Sequence, residues 1–114
     1  MKIAFTAVGS DWEAQIDPRF GRTAFLVIYN EETNQLEAFD NSAVQADAHG
    51  AGTATAQRIF DMHPDVLITG NGPGGTAAKA LKNLKMNIFV DAHNLSLKEA
   101  YAKYKDNKLT PLAS

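Results

Sequence analysis

The stretch DVLITGNGPGG, residues 65–75, contains the signals that determine the fold class of this chain. Its first five residues are mostly apolar and β-branched, which is typical of a short buried strand. The next six positions hold four glycines and one proline, which predicts a tight turn. Residues 76–84 then place alanine and leucine at helical spacing. The stretch therefore predicts a strand, a turn and a helix in direct succession, the repeating unit of an α/β sheet.

The same signals recur on both sides of this stretch. Short apolar runs bounded by polar turns predict five strands, at Lys2–Val8, Thr23–Tyr29, Leu36–Asp40, Asp65–Thr69 and Asn87–Val90. Apolar residues at helical spacing predict three helices, at Thr53–Met62, at Thr76–Leu84 and from Ser96 onward. The third helix begins with S-L-K-E, the capping-box pattern in which Ser96 and Glu99 bond each other's main-chain amides. The chain therefore alternates helices and strands after its first three strands.

The order of these elements, β-β-β-α-β-α-β-α, fixes the expected topology. A connection of hairpin length, residues 30–35, makes the second strand antiparallel to its neighbours. The later strand–helix–strand units cross over right-handedly and run parallel. We therefore expect a three-layer α/β domain with a ribonuclease H-like motif, in which a five-stranded mixed sheet of order 3-2-1-4-5, with strand 2 antiparallel, has helices on both faces. We expect one such domain over residues 1–114, with a flexible tail from about residue 106.

This topology sorts the loops between the two ends of the sheet. Strands one, three, four and five point the same way, and ligands of open α/β sheets bind beyond the carboxyl ends of such strands. The loops expected at this end are 9–22, 41–52, 70–75 and 91–95. The opposite end receives only short connections, at 30–35, 62–64 and 85–86. The two long loops and the glycine turn therefore mark the expected ligand-binding end.

Composition and charge exclude several classes of protein. The formal net charge of −2 over 114 residues provides no basic field that would attract nucleic acid. The absence of cysteine excludes disulfides, zinc ribbons and thiolate-bound iron–sulfur clusters. No apolar run approaches the roughly 20 residues of a membrane span, and the N-terminal apolar run is a strand candidate rather than a signal peptide. We therefore expect a cytoplasmic protein that binds neither nucleic acid nor membrane.

The sequence also lacks the groupings of side chains that catalysis requires. A ribonuclease H-like nuclease needs clustered carboxylates to hold two divalent ions, and the first strand, KIAFTAV (2–8), contains no acid. No nucleophile–base pair and no paired carboxylates fall on the expected strands. The pattern therefore predicts a binding protein and not an enzyme.

The glycine turn allows three interpretations. The first is a dinucleotide-binding fingerprint, in which G-x-G-x-x-G precedes an acid at the end of the next strand, with Gly70, Gly72, Gly75 and Asp91 in these roles. Pro73 weakens this interpretation because it removes one main-chain donor, and only one β-α-β unit remains for the site. The second is a tight turn that serves the fold alone. The third is a general anion site at a helix N-terminus, which is compatible with the second.

Three histidines are candidate metal ligands, and the topology separates them. His49 lies in HGAG immediately before the first helix, where it is either a metal ligand or a capping residue. His93 also falls at the ligand-binding end and is the weaker candidate, whereas His63 lies at the opposite end. No pair of histidines has the spacing of a zinc site.

Two arginines in IDPRFGR, Arg19 and Arg22, are candidate anion ligands. Pro18 and Gly21 indicate a loop of defined shape, so the guanidinium groups would present fixed donors to a polyanion. The alternative is that the arginines are surface residues paired with acids of the same loop. Those acids are Asp11, Glu13 and Asp17.

Three stretches taken together resemble one known family: IDPRFGR (16–22), AHGAGTATAQ (48–57) and DVLITGNGPGG (65–75). The chain resembles the dinitrogenase iron–molybdenum cofactor biosynthesis family, the NifX- and NafY-like domains, from Lys2 to about Lys105. The resemblance implies a ribonuclease H-like motif without nuclease activity. It also implies noncovalent carriage of a molybdenum- or iron-containing sulfide cluster, or its precursor, with a protein donor or recipient. The cysteine-free, stand-alone form is also similar to members that carry a molybdenum–copper sulfide cluster.

The resemblance and the loop placement together define the expected site. The cluster is expected between the ligand-end loops, with His49 as its metal ligand and with Arg19 and Arg22 holding the anion. The neighbouring glycine-rich turns complete the expected set with Gly50, Gly52, Asn71, Gly72, Gly74 and Gly75. Asp91 and His93 receive no role. Two alternatives remain, a nucleotide-binding enzyme fragment or regulator that uses the GNGPGG turn, and a protein-interaction adaptor with an empty site.

Overall fold

Six strands form a mixed sheet in the computed structural model, which describes residues 1–41, 51–71 and 86–112. The strands are β1 (Lys2–Ala7), β2 (Phe25–Asn30), β3 (Gln35–Asp40), β4 (Val66–Ile68), β5 (Asn87–Val90) and β6 (Thr110–Pro111). The helices of these ranges are α1 (Ala51–Met62) and α2 (Leu97–Lys105). The strands lie in the order β3-β2-β1-β4-β5-β6. β2 runs antiparallel to β1 and β3, whereas β1, β4 and β5 are parallel.

The predicted α/β class, the strand order 3-2-1-4-5 and the antiparallel second strand are confirmed. The prediction of five strands is wrong, because β6 adds to the outer side of β5 in antiparallel orientation. The chain turns back after α2 at Asn107, whose φ of 58° is left-handed, and the Leu112 amide then donates to the Ile88 carbonyl. The tail that we expected to be flexible therefore contributes a strand. A two-residue strand that contains Pro111 has no periodicity to detect in a sequence.

Alternating side chains of the central strand β1 separate two hydrophobic cores. The core between the sheet and α2 includes Ile3, Phe5, Val27, Val66, Ile68, Leu97 and Ala100. The core between the sheet and α1 includes Ala4, Leu26, Leu67, Ala56 and Ile59. Because successive residues of a strand point to opposite faces, the two helices cover opposite faces of the sheet, as the three-layer prediction requires.

Local signals set the ends of the two helices. The Ser96 side chain accepts a hydrogen bond from the Glu99 amide, and the Glu99 carboxylate accepts one from the Ser96 amide, so the predicted capping box is confirmed. α1 ends where His63 adopts a left-handed φ of 51° and Pro64 prevents continuation of the helix. The helix predicted at residues 76–84 lies outside the described residues. No helix within the described ranges is long and apolar enough to cross a membrane.

Candidate functional site

The carboxyl ends of β1, β3, β4 and β5 lie at one end of the sheet, which we call the C-terminal end. Its described loops are residues 9–22, 70–71 and 91–95. The Asp17 amide donates to the Thr6 carbonyl over 2.9 Å, and the Asn71 amide donates to the Pro18 carbonyl over 2.8 Å. Main-chain hydrogen bonds therefore join the long loop to β1 and to the turn that follows β4, at the end where the sequence predicts both loops.

Gly70 allows the closest approach between these loops. A Cβ atom at this position would lie 2.6 Å from the Cα of Pro18 and 3.3 Å from the Cβ of His93. The shorter distance is below that of real Cβ contacts, and the atom it would meet belongs to the main chain. The first glycine of GNGPGG therefore permits the IDPRFGR segment to pack on the end of β4. At Gly70 the glycine turn therefore packs against the protein's own main chain.

Two buried threonines at the carboxyl ends of β1 and β4 hold the long loop in place. Thr6 lies in β1 and Thr69 directly follows β4, and both are fully buried. Their hydroxyl oxygens lie 2.8 Å apart, and the Thr6 hydroxyl donates to the Asp17 carbonyl over 2.9 Å. Because Thr6 uses its one proton on Asp17, the Thr69 proton is left for Thr6, at 2.8 Å, or for the Asn71 carbonyl, at 3.4 Å, and the shorter contact is the stronger one. We did not predict these residues; the available signal was a threonine near the carboxyl end of each of two neighbouring parallel strands.

Asp17 is a buried carboxylate that accepts hydrogen bonds from four N–H groups. The main-chain amides of Arg19 and Ala24 each donate over 3.0 Å. The Nε and Nη2 atoms of Arg19 donate over 3.1 and 3.0 Å, so the guanidinium is bound in bidentate geometry. Burial alone would raise the pKa of Asp17, but the hydrogen bonds from Arg19 and Ala24 outweigh burial and hold the pKa below its ordinary value. The alternative in which a loop arginine pairs with a nearby acid is therefore the observed one for Arg19.

Arg19 keeps N–H groups that Asp17 does not engage. Asp17 uses Nε and Nη2, so both N–H groups of Nη1 and the second one of Nη2 are directed away from this carboxylate. The Arg19 side chain is 56% exposed, and its hydrogen bond to Asp17 raises its pKa further. Because the pair carries no net charge, Arg19 offers an anion directed hydrogen bonds rather than an isolated positive charge.

A second buried network ties the remainder of the segment to β3 and α1. Asn41 follows β3, and its Nδ2 donates to the Thr23 carbonyl and the Thr55 hydroxyl over 3.1 and 3.2 Å. Thr55 of α1 in turn donates to the Gly21 carbonyl over 2.7 Å. The Oδ1 atom of Asn41 is a buried acceptor with no donor within the described ranges. The IDPRFGR segment is therefore fixed at both its ends by side chains of the surrounding sheet and helix.

The structure brings part of the predicted site together. Arg19 and Asn71 lie on the two joined loops with exposed side chains, and Arg22 is exposed on the same segment as Arg19. Gly52 lies in the first turn of α1. Five predicted positions lie outside the described residues: His49, Gly50, Gly72, Gly74 and Gly75. His93, which received no role, is exposed beside Gly70 at the same end of the sheet.

Comparisons with known proteins agree with this fold and with the resemblance that the sequence shows. The sequence matches the family described as dinitrogenase iron–molybdenum cofactor over residues 1–107. The chain belongs to this family. The apo form of the orange protein from Desulfovibrio gigas is 34% identical to this family member and has a TM-score of 0.92, with 99% of this chain and 93% of that chain covered. A putative NifB protein from Thermotoga, which belongs to the DUF35 family, is 26% identical with a TM-score of 0.83, and the coverage is 99% and 94%.

Membership of the dinitrogenase iron–molybdenum cofactor family defines the general role. It supports binding of a metal cofactor or cluster that contains molybdenum, and handling of that cofactor together with other proteins. No match was found among curated proteins. The family therefore supplies the class of ligand, and the geometry of the C-terminal end supplies the candidate binding surface.

Proposed function

We propose that this protein carries an anionic molybdenum-containing sulfide cluster, with iron or copper as the second metal, at the C-terminal end of its sheet. The cluster is cargo, held noncovalently in the cytoplasm and exchanged with a protein donor or recipient. The observation that carries this proposal is the fixed loop at residues 17–22, which presents the Arg19 guanidinium above the strand ends. Family membership supports the choice of cargo.

The side chains present suit a cargo bound by hydrogen bonds rather than enclosed by metal–thiolate bonds. The sequence contains no cysteine, and no group of three or more metal-ligating side chains is found in the part of the chain that the structure describes. The unengaged N–H groups of Arg19 form a planar donor set that matches an anion with several acceptor atoms. Sulfide atoms on the surface of an anionic cluster are such acceptors.

The state of Asp17 favours carriage over catalysis. This carboxylate is fully buried and receives four hydrogen bonds, so it is shielded from any cargo. The bond from Arg19 also keeps its pKa low, which makes it a weak general base. Its role in our proposal is to hold Arg19 and the loop in place.

Anaerobic reconstitution with tetrathiomolybdate, alone and with Cu(I) or Fe(II), tests the proposal. We expect a stoichiometric chromophore that stays with the protein during gel filtration. Arg19→Ala and Arg19→Lys should both weaken retention, because lysine keeps the charge but loses the planar donor set. Lys105→Ala is a matched control, since Lys105 is 52% exposed and pairs with Glu31 over 3.1 Å, as Arg19 pairs with Asp17 over 3.0 Å.

The outcomes separate the proposal from its rivals. A wild-type protein that retains no chromophore in any arm would contradict the proposed function. Equal losses in the Arg19 and Lys105 variants would remove the assignment of the binding surface. A saturable rise in melting temperature with NADH or ATP, lost in Asp91→Ala, would favour the nucleotide-binding alternative.

A further inference from the structure

His93 lies in a turn whose main chain is hydrogen-bonded to the residues that follow β4. The turn is D-A-H-N, residues 91–94, directly after β5. The Asp91 amide donates to the Gly70 carbonyl over 2.7 Å, and the Ala92 amide donates to the Thr69 carbonyl over 3.2 Å. Ala92 is fully buried, whereas His93 is exposed. The turn therefore anchors its main chain in the protein and leaves the imidazole at the surface.

The conformation of this turn is unusual for residues other than glycine. Asp91 and Asn94 adopt left-handed φ values of 62° and 69°, so they bracket His93 with two left-handed residues. Aspartate and asparagine tolerate this region better than other residues, but it still carries a conformational cost. Such conformations persist where surrounding contacts fix them, and they concentrate at binding sites.

The position of His93 places it beside the fixed loop that carries Arg19. A Cβ atom built on Gly70 would contact both the Pro18 Cα, at 2.6 Å, and the His93 Cβ, at 3.3 Å. Pro18 directly precedes Arg19. The Pro18 Cα and the His93 Cβ both lie close to the same point above Gly70. His93 and the residue directly before Arg19 therefore border the same patch of surface at this end.

Side chains with soft or borderline donor atoms are unevenly distributed over the molecule. The chain has no cysteine and three methionines. Met1 precedes β1, Met62 ends α1 and Met86 precedes β5, so all three lie toward the opposite end of the sheet, as does His63. Among the residues that the structure describes at the C-terminal end, His93 is the one whose side chain can bond to a metal that prefers nitrogen or sulfur.

We propose that the His93 imidazole binds directly to a metal ion on the surface of the cargo, a copper or iron ion of the sulfide cluster. This inference rests on the proposed function and adds one coordinate bond, from an imidazole nitrogen to a cluster metal, to an attachment that is otherwise noncovalent. Imidazole is a good ligand for both metals. Arg19 then donates to the sulfide atoms of the same cluster, so the two side chains recognise its anionic and metallic parts separately. No hydrogen bond within the described ranges engages the imidazole, so both of its nitrogens are available.

Reconstitution of three variants of the full chain tests this assignment. Wild type, His93→Ala, His93→Gln and the control His63→Ala are loaded with tetrathiomolybdate alone, with tetrathiomolybdate plus Cu(I), and with tetrathiomolybdate plus Fe(II). His63 is a suitable control because it is exposed, as His93 is, and lies at the opposite end of the sheet. We expect both His93 variants to bind the cluster more weakly in an arm that contains copper or iron. The loss of affinity should be at least roughly 10- to 100-fold, which is the loss that follows when a metal ligand is deprived of its hydrogen-bond partner. His63→Ala should match wild type, and the arm with tetrathiomolybdate alone should show no His93 effect.

A second readout follows the imidazole itself. We expect the ¹⁵N resonances of one histidine to move on loading in wild type, and that signal to be missing from His93→Ala. Both His93 variants should melt at the wild-type temperature, since an exposed side chain without hydrogen bonds contributes little to stability. Full retention in the His93 variants would contradict this inference and leave the proposed function standing. Failure of wild type to load in every arm would contradict both.

Discussion

The two ends of the sheet use their polar side chains in different ways. At the end opposite the candidate site, the turn at residues 31–34 joins β2 to β3, and Glu31 accepts hydrogen bonds from Tyr101 and Lys105 near the surface. At the C-terminal end, polar side chains are buried under the loops. These buried residues are Thr6, Asp17, Thr23, Asn41, Thr55 and Thr69.

This difference means that the structure of the C-terminal end depends more on internal polar contacts than that of the opposite end does. A surface ion pair contributes about 0–1 kcal/mol, because water screens the charges. A buried polar group that loses its partner costs about 1–3 kcal/mol. The long loop at the C-terminal end, which carries Arg19, is therefore fixed by contacts that cannot be removed one at a time without penalty. The neighbouring turn that carries His93 is held by its own main-chain hydrogen bonds to Thr69 and Gly70.

The largest expected effect tests the close packing at Gly70. Gly70→Ala should lower the free energy of unfolding by about 3 kcal/mol, because the new Cβ would meet the Pro18 Cα at 2.6 Å and neither main chain can easily move. Chemical denaturation measures this loss. Gly9→Ala is the control, since its Cβ would meet only the Ala14 Cβ at 3.1 Å, and we expect a loss of about 1 kcal/mol. Equal losses would show that the loop is not held closely on β4.

The next effect tests the buried carboxylate. Asp17→Ala should lower the free energy of unfolding by about 2 kcal/mol, because the amides of Arg19 and Ala24 lose their acceptor. Urea denaturation at neutral pH measures this change. Arg19→Ala should cost less than Asp17→Ala, since it leaves both amide bonds to Asp17 in place.

The pKa of Asp17 adds a pH dependence to that comparison. Because hydrogen bonds from Arg19 and Ala24 hold the pKa of the folded state below that of the unfolded state, the stabilisation is present above the unfolded pKa. It is lost as the pH falls through the folded pKa. Wild type should therefore lose more stability than Asp17→Asn on acidification, and parallel losses in the two proteins would contradict a stabilising carboxylate.

The sequence was sufficient for most of the fold because the sheet follows from element order and hydrophobic pattern. The predicted bounds of β5, Asn87–Val90, agree with the structure. Strand two was predicted to begin at Thr23, but β2 begins at Phe25, since the Thr23 amide donates to the Phe20 carbonyl of the preceding turn and not to a neighbouring strand. The missed strand β6 depends on an open edge of β5, which no local pattern in residues 106–112 reveals.

The site was less predictable because its contacts join residues far apart in the chain. Thr6 and Thr69 are 63 positions apart and look like ordinary strand residues. The Asp17–Arg19 pair was open to prediction, since a single residue, Pro18, separates the partners, but the choice among three nearby acids required coordinates. His93 was placed at the correct end by topology alone, and its closeness to Pro18 depends on the absence of a side chain at Gly70.

A smaller effect tests the threonine pair. Thr6→Val should lower the free energy of unfolding by about 1–2 kcal/mol, because the Asp17 carbonyl loses its hydroxyl donor. Thr69→Val should cost less, since Thr6 keeps its bond to Asp17. A double-mutant cycle measured by denaturation should show that the double variant loses less than the sum of the single variants, because both remove the same 2.8 Å bond. Strict additivity would mean that the two hydroxyls do not interact.

The smallest effect concerns Tyr101, at the opposite end of the sheet. Burial, together with the hydrogen bond to Glu31, raises the pKa of Tyr101 to about 12. A raised folded pKa means that this stabilisation is fully present below the unfolded pKa of about 10 and is lost as the pH rises through about 12. Tyr101→Phe should therefore cost only about 0.5–1 kcal/mol at neutral pH, as expected for one hydrogen bond near the surface.

Tyrosinate absorbance and cluster retention together show whether the two ends are independent. The titration step near pH 12 should disappear in Tyr101→Phe and move to lower pH in Glu31→Gln, because glutamine removes the negative charge that opposes ionisation of Tyr101. Retention of a reconstituted cluster should be unchanged in both variants, since neither side chain forms a hydrogen bond with the loop that carries Arg19, and phenylalanine keeps the ring contact of Tyr101 with Trp12 of that loop. A loss of retention comparable to that of Arg19→Ala would mean that α2, whose first amides bond the carbonyls of Trp12 and Ala14, transmits changes from one end of the sheet to the other.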